Sequence, residues 1–176
     1  MYDRGVSALA LLRRADTLLD DGLLAEARAV ATEGFAGGGR WMSKLLGGCA
    51  LNERVATHLG IVKYGLASLA GCVTFALCWP VASVGSLLPA VLAFYAVEAQ
   101  MVFLFPVAIS GSASPFRDAY RLTRTAGGTW AVMQVVLPIA ATMLFGAPFL
   151  GGVVRAWSLG CLAIVLYYQA VTRSEP

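Results

Sequence analysis

One carboxylate stands alone in the most apolar part of this chain. Glu98 is the sole charged residue between Tyr64 and Phe116. It falls at the middle of a 23-residue apolar stretch, Leu87 to Ile109. A charged side chain at the centre of a bilayer costs about 2.5–3.5 kcal/mol on insertion scales, so such residues pair, stay protonated or line water. No Lys or Arg is expected at that depth, so an internal ion pair is not expected and a neutral, hydrogen-bonded carboxyl is. Tyr95, Gln100, Thr74 and Thr142 are its candidate partners. Pro138, at similar depth in a later apolar stretch, lacks an N–H and frees the carbonyl of Gln134. Glu98 facing Gln134 would make a polar pocket. Its chemistry would be binding and release of a proton or cation. The alternative is a hydrogen bond between helices or subunits.

The other reactive side chains are sparse. His58 is the only histidine, one turn after Arg54 and close to an expected membrane surface. An axial contact to a haem or other pigment is its functional reading, and an interfacial hydrogen bond its structural one. No cofactor is otherwise implied. Cys49, Cys72, Cys78 and Cys161 show no CxxC spacing and read as small packing residues, without metal ligation. No nucleophile elbow, HExxH, phosphate loop or paired acids are present, so no catalytic residue is named and an enzyme is not expected. Arg117, Arg121 and Arg124 recur at spacings of four and three, which puts them on one helical face beside Tyr120. That face suits anionic lipid headgroups, at about 1 kcal/mol per basic side chain, or an acidic partner.

The elements that must hold these residues are set by composition. Of 176 residues, 59% are hydrophobic and 13% charged, with a net charge of +3, and the mean hydropathy is +0.73. That excludes a disordered chain and an ordinary cytosolic enzyme, and makes a nucleic-acid binder untenable. Apart from Glu98, charge is confined to residues 1–63, to 117–124 and to the ends of the last apolar stretch. A spanning helix needs about 20 apolar residues. Four spans are expected, at 61–79, 87–109, 129–145 and 153–171, making an all-α, four-helix transmembrane domain over residues 61–176. Pro80, Gly85 and Pro89 mark the first turn, and Pro106 a kink or early unwinding. The Lys/Arg bias puts both termini in the cytoplasm of a bacterial-type membrane. Arg155 is the exception, at the outer start of the fourth span, free to snorkel to the interface.

Residues 1–36 are expected to form a cytoplasmic helical hairpin. Leu9, Leu12, Leu18 and Leu19 stripe one arm, Asp20, Asp21 and Gly22 break it, and Leu23, Leu24, Ala27, Val30 and Ala31 stripe the other. The spacing of Ala15, Leu18, Gly22, Leu24 and Ala27 resembles one tetratricopeptide unit. A single unit cannot bury its apolar face, which implies docking on its own membrane domain, a second copy or a partner. Residues 37–60 read as a flexible joint at Gly37, Gly38 and Gly39, followed by an interfacial helix broken near Gly47 and Gly48. No cleavable leader is expected at Gly5 to Leu12, and Leu46 to Cys49 is a poor lipoprotein site. Ala67 with Gly71, and Ala156 with Gly160, permit close helix approach.

The expected function is that of a non-catalytic integral subunit or scaffold of a larger membrane complex, with respiratory and photosynthetic assemblies as examples. It would partner the lipid bilayer and other membrane subunits or a second copy. The alternative is a small dimeric proton- or cation-coupled transporter using Glu98.

Overall fold

The computed structural model describes residues 7–48 and 51–173. Gly5 and Cys49, named above, lie outside them. Among the described residues the chain is made of helices joined by turns, with no strand. Three stretches are long and apolar enough to cross a membrane: Glu53–Ile109, Gly128–Phe145 and Val153–Arg173.

Helix α1, Ala8–Leu18, opens on Ser7, whose hydroxyl accepts from the Ala10 N–H. This is an ordinary N-cap. Ala8, Leu11, Ala15 and Leu19 are buried along one side, the spacing an amphipathic helix requires. The expected break falls in a π-helical turn, Leu19–Leu23, where Gly22 takes φ 115°. Helix α2 follows at Leu24–Val30. The apolar faces of α1 and α2 dock on the chain itself. Helix α1 packs on α8 (Gly128–Phe145) and α10 (Val153–Arg173), and α2 on α3 (Gly34–Leu46) and α10.

The glycine-rich segment departs from the expected joint. Gly37, Gly38 and Gly39 are helical and buried inside α3. A Cβ at 37 would collide with the Val30 carbonyl, and one at 38 would stand 3.2 Å from the Trp157 ring. Glycine's low helix propensity is overridden here by close packing, which only its missing side chain allows. Trp41, one turn on, is fully buried and stacks on Trp157 at 6.2 Å. Gly47, at φ 63°, ends α3, and its N–H bonds the Lys44 carbonyl. This break falls where the sequence placed it.

Helix α4 runs Glu53–Ala82, beginning eight residues before the expected span, with Asn52 as its cap. A 3₁₀ turn, Ser83–Ser86, reverses the chain into α5, Leu87–Gln100. The expected second span is not continuous. Met101 to Phe103 leave helical geometry, and α6 resumes at Leu104–Ile109. Pro106 is the cause: it cannot donate to the Val102 carbonyl, and its ring crowds that oxygen.

Helix α7, Pro115–Thr125, crosses to α8, and a short α9, Ala147–Leu150, leads into α10. Helix α10 is the central rod, packed against by α1, α2, α3, α7, α8 and α9. Apolar side chains cover the outer faces of α4, α5 and α8, among them Leu69, Val73, Leu77, Leu88, Leu144 and Phe145. An apolar exterior on helices of this length is what a hydrocarbon solvent selects.

The expected separation of a cytoplasmic head from the outer end of α10 does not hold. Arg155 Nη2 lies 2.8 Å from Asp16 Oδ1 and 2.8 Å from Asp20 Oδ1. The C-terminal end of α1 and the start of α10 therefore share one end of the bundle. Arg155 is an ion-pair partner there and does not snorkel alone.

Candidate functional site

The α4–α5 hairpin is drawn together by small residues. Ala67 and Ala90 are buried, and a Cβ at Gly71 would come 3.3 Å from the Ala90 carbonyl and 3.5 Å from Phe94. That close approach sets the register of the two antiparallel helices. Eight residues back from Gly71 is Lys63, and eight on from Ala90 is Glu98. The two side chains meet, Lys63 Nζ to Glu98 Oε1 at 3.3 Å, with 4% and 9% of their side-chain surface exposed.

This overturns the expectation that no cation reaches Glu98. Two features hid the pair. Helix α4 extends the expected first span toward its N-terminus, so Lys63 is an interior residue of a 30-residue helix and not a border one. The break at Met101 also places Glu98 in the last turn of α5, away from the middle of a long span. A signal was available in the small residues Gly71 and Ala90, from which the matching offsets follow.

The end of α5 is finished by polar groups from elsewhere. The Met101 N–H bonds the Glu98 carbonyl. Thr123 Oγ1, fully buried on α7, lies 3.2 Å from the Ala99 carbonyl and 3.4 Å from that of Gln100. The Ala119 carbonyl of its own helix is 3.1 Å away, so one hydroxyl hydrogen is shared among three acceptors, two of them carbonyls at the helix break. Gln100 Nε2 donates to Thr129 Oγ1 at the start of α8. Gln100 is therefore engaged away from Glu98, and Thr142 donates to the Pro138 carbonyl on its own helix.

Gln134 does not face Glu98. It is exposed, as is Pro138, while Val132, Met133, Val135, Val136 and Ile139 form the buried side of α8. The polar pocket expected between Glu98 and Gln134 is replaced by a different one. Lys63 and Glu98 line a cavity of about 400 Å³ among α3, α4, α5, α6, α8 and α10. Its walls include Phe35, Tyr64, Met143, Trp157 and Cys161. Phe35 stacks on Tyr64 at 5.5 Å. Lys63 Nζ sits 5.0 Å from the Tyr64 ring centre, within range of a cation–π contact.

The remaining site residues lie apart. His58 is exposed on α4 and does not line this cavity. Arg117, Arg121 and Arg124 are exposed on α7 and line one shallow depression with Ser112, Asp118 and Tyr120. The Ser112 hydroxyl donates to Asp118 Oδ2 at 2.5 Å. Among the described residues no group of three His, Cys, Asp or Glu is placed to hold a metal ion.

No known protein-family profile matches this chain, and no solved structure does. Two curated relatives are each named NADH-ubiquinone oxidoreductase chain 6. The one from Brachyramphus brevirostris is 28% identical over 120 residues, covering 68% of this chain and 61% of its own. The one from Synthliboramphus hypoleucus is 27% identical over 120 residues, with the same coverage. The chain spans about three fifths of the length of these relatives. The apolar helices and this likeness agree on a multi-pass membrane protein.

Proposed function

We propose that this chain is a non-catalytic integral subunit of a larger, energy-transducing membrane complex, of the kind that oxidises NADH. The observation that carries this is the 120-residue likeness to chain 6 of NADH-ubiquinone oxidoreductase. The apolar outer faces of α4, α5 and α8 support it, since they suit burial in lipid or against other membrane subunits. Four crossings are assigned, by α4, by α5 with α6, by α8 and by α10. Arg117, Arg121 and Arg124 lie on the inner side, in contact with anionic headgroups or an acidic partner. The test is a native gel of mildly solubilised membranes, stained for NADH oxidation and probed for this chain. Co-migration with the stained band is expected. A stable, lone species running apart from it would end this reading.

A second reading rests on the Lys63–Glu98 pair beside a broken helix. Interrupted helices and intramembrane ion pairs recur where protons or cations move. On this reading the carboxylate accepts a proton or cation while Lys63 balances its charge. Glu98→Gln would abolish proton or cation flux in liposomes while helicity survives; unchanged flux would remove the reading.

A further inference from the structure

We infer that the Lys63–Glu98 cavity binds a neutral, ring-bearing lipid whose carbonyl or hydroxyl oxygen accepts a hydrogen bond from Lys63. The size comes first. About 400 Å³ is within the range of small-molecule sites, roughly 300–1,000 Å³. The walls come second. Aromatic and thioether groups from four different helices surround the space: Phe35, Tyr64, Met143 and Trp157. Flat rings stack well on such walls.

Charge then selects the class. Among the described residues, Lys63 and Glu98 are the only charged ones lining the cavity, and they neutralise each other at 3.3 Å. An ionised carboxylate or phosphate entering here would bring an uncompensated charge into a low-dielectric space. A neutral oxygen brings none. The Lys63 ammonium has three N–H donors and Glu98 Oε1 takes one. The mouth agrees. Phe35 and Val153, 39% and 71% exposed, are lining residues that reach the surface. Both are apolar, so the mouth suits a lipid-soluble ligand.

The experiment uses benzophenone, a neutral two-ring ketone, on the full chain in mild detergent. On irradiation its carbonyl abstracts hydrogen from a nearby C–H, and the two carbon radicals join, adding the whole probe to the side chain. Methionine C–H groups are favoured targets, and Met42 and Met143 both line the cavity. Saturable labelling at Met42 or Met143 is expected, as read by peptide mass spectrometry. The anionic analogue para-benzoylbenzoate is expected to label them about tenfold less, because its charge must be buried unpaired. Cys161→Phe, which fills the space, is expected to suppress cavity labelling while leaving labelling of exposed α4 residues such as Val73 in place. Circular dichroism checks that this variant is folded, and the comparison of the two probes on the unsubstituted chain is decisive without it. Labelling confined to lipid-facing side chains, or equal labelling of the cavity by the anion, would overturn the proposal.

Discussion

Arg155 and Asp16 are 139 residues apart in sequence, and their side chains meet at 2.8 Å. The contact ties the first helix to the start of the last. Asp20, in the turn after α1, shares the same guanidinium nitrogen. The pairs are partly open, with a quarter of the Arg155 side chain exposed. Their net worth is therefore small, about 1 kcal/mol, as solvent and side-chain entropy offset most of the attraction. Arg155→Gln is expected to leave global stability nearly unchanged and to loosen the Leu19–Leu23 turn. Limited proteolysis should show faster cleavage there. An unchanged digestion pattern would mean that the apolar stripe of α1 holds it without this clasp.

The Lys63–Glu98 pair is a different case, because both side chains are nearly buried. Removing one partner strands the other charge in an apolar cavity, at about 3–5 kcal/mol. Lys63→Met and Glu98→Gln should each lower stability by such an amount in detergent unfolding. Lys63→Met combined with Glu98→Leu should recover much of the loss, since two apolar side chains leave no charge behind. Additive losses in the double variant would show that the two side chains act independently.

Gly37 separates two physical accounts of the glycine run. In a flexible joint, alanine would stabilise by restricting the unfolded chain, and its helix propensity exceeds that of glycine by about 1 kcal/mol. In α3, a Cβ at 37 runs into the Val30 carbonyl, a backbone atom that cannot swing away. Overpacking costs about 1–3 kcal/mol, which outweighs the propensity gain. Gly37→Ala should therefore destabilise, with the change visible in fluorescence from Trp41 and Trp157 as α3 shifts. A stabilised variant would restore the joint.

How much was legible divides along the same physical line. Elements bounded by composition were readable. Helix α8 begins one residue from its expected start and ends where expected, and α10 starts at Val153 as its apolar run does. Gly22 and Gly47 break helices where their neighbours' pattern stops. Features that depend on two segments meeting were not readable. Gly37 to Gly39 look like a linker until Val30, Trp157 and Ala56 stand against them. Glu98 looks isolated until the Gly71–Ala90 approach brings Lys63 alongside. Gln134 looked like its partner on depth alone, but helix rotation decides which face a residue occupies, and Gln134 turns outward. Arg117, Arg121 and Arg124 share a depression because their spacing within one helix already required it.

Orientation is the last consequence that can be measured. If α4, α5 with α6, α8 and α10 each cross the bilayer, the turn holding Ser83 and the loop holding Ser114 open on opposite sides. Both serines are exposed. Ser114 adjoins the three arginines of α7, which the positive-inside bias keeps on the inner face. Single cysteines at these positions, in a background with Cys49, Cys72, Cys78 and Cys161 replaced by Ala, should react with a membrane-impermeant maleimide from opposite sides of intact vesicles. Arg155→Cys, at the start of α10, should follow Ser83→Cys and not Ser114→Cys, because α8 lies between α7 and α10. Labelling of Ser83→Cys and Ser114→Cys from one side would show that α5 and α6, broken at Met101, turn back within the membrane instead of traversing it.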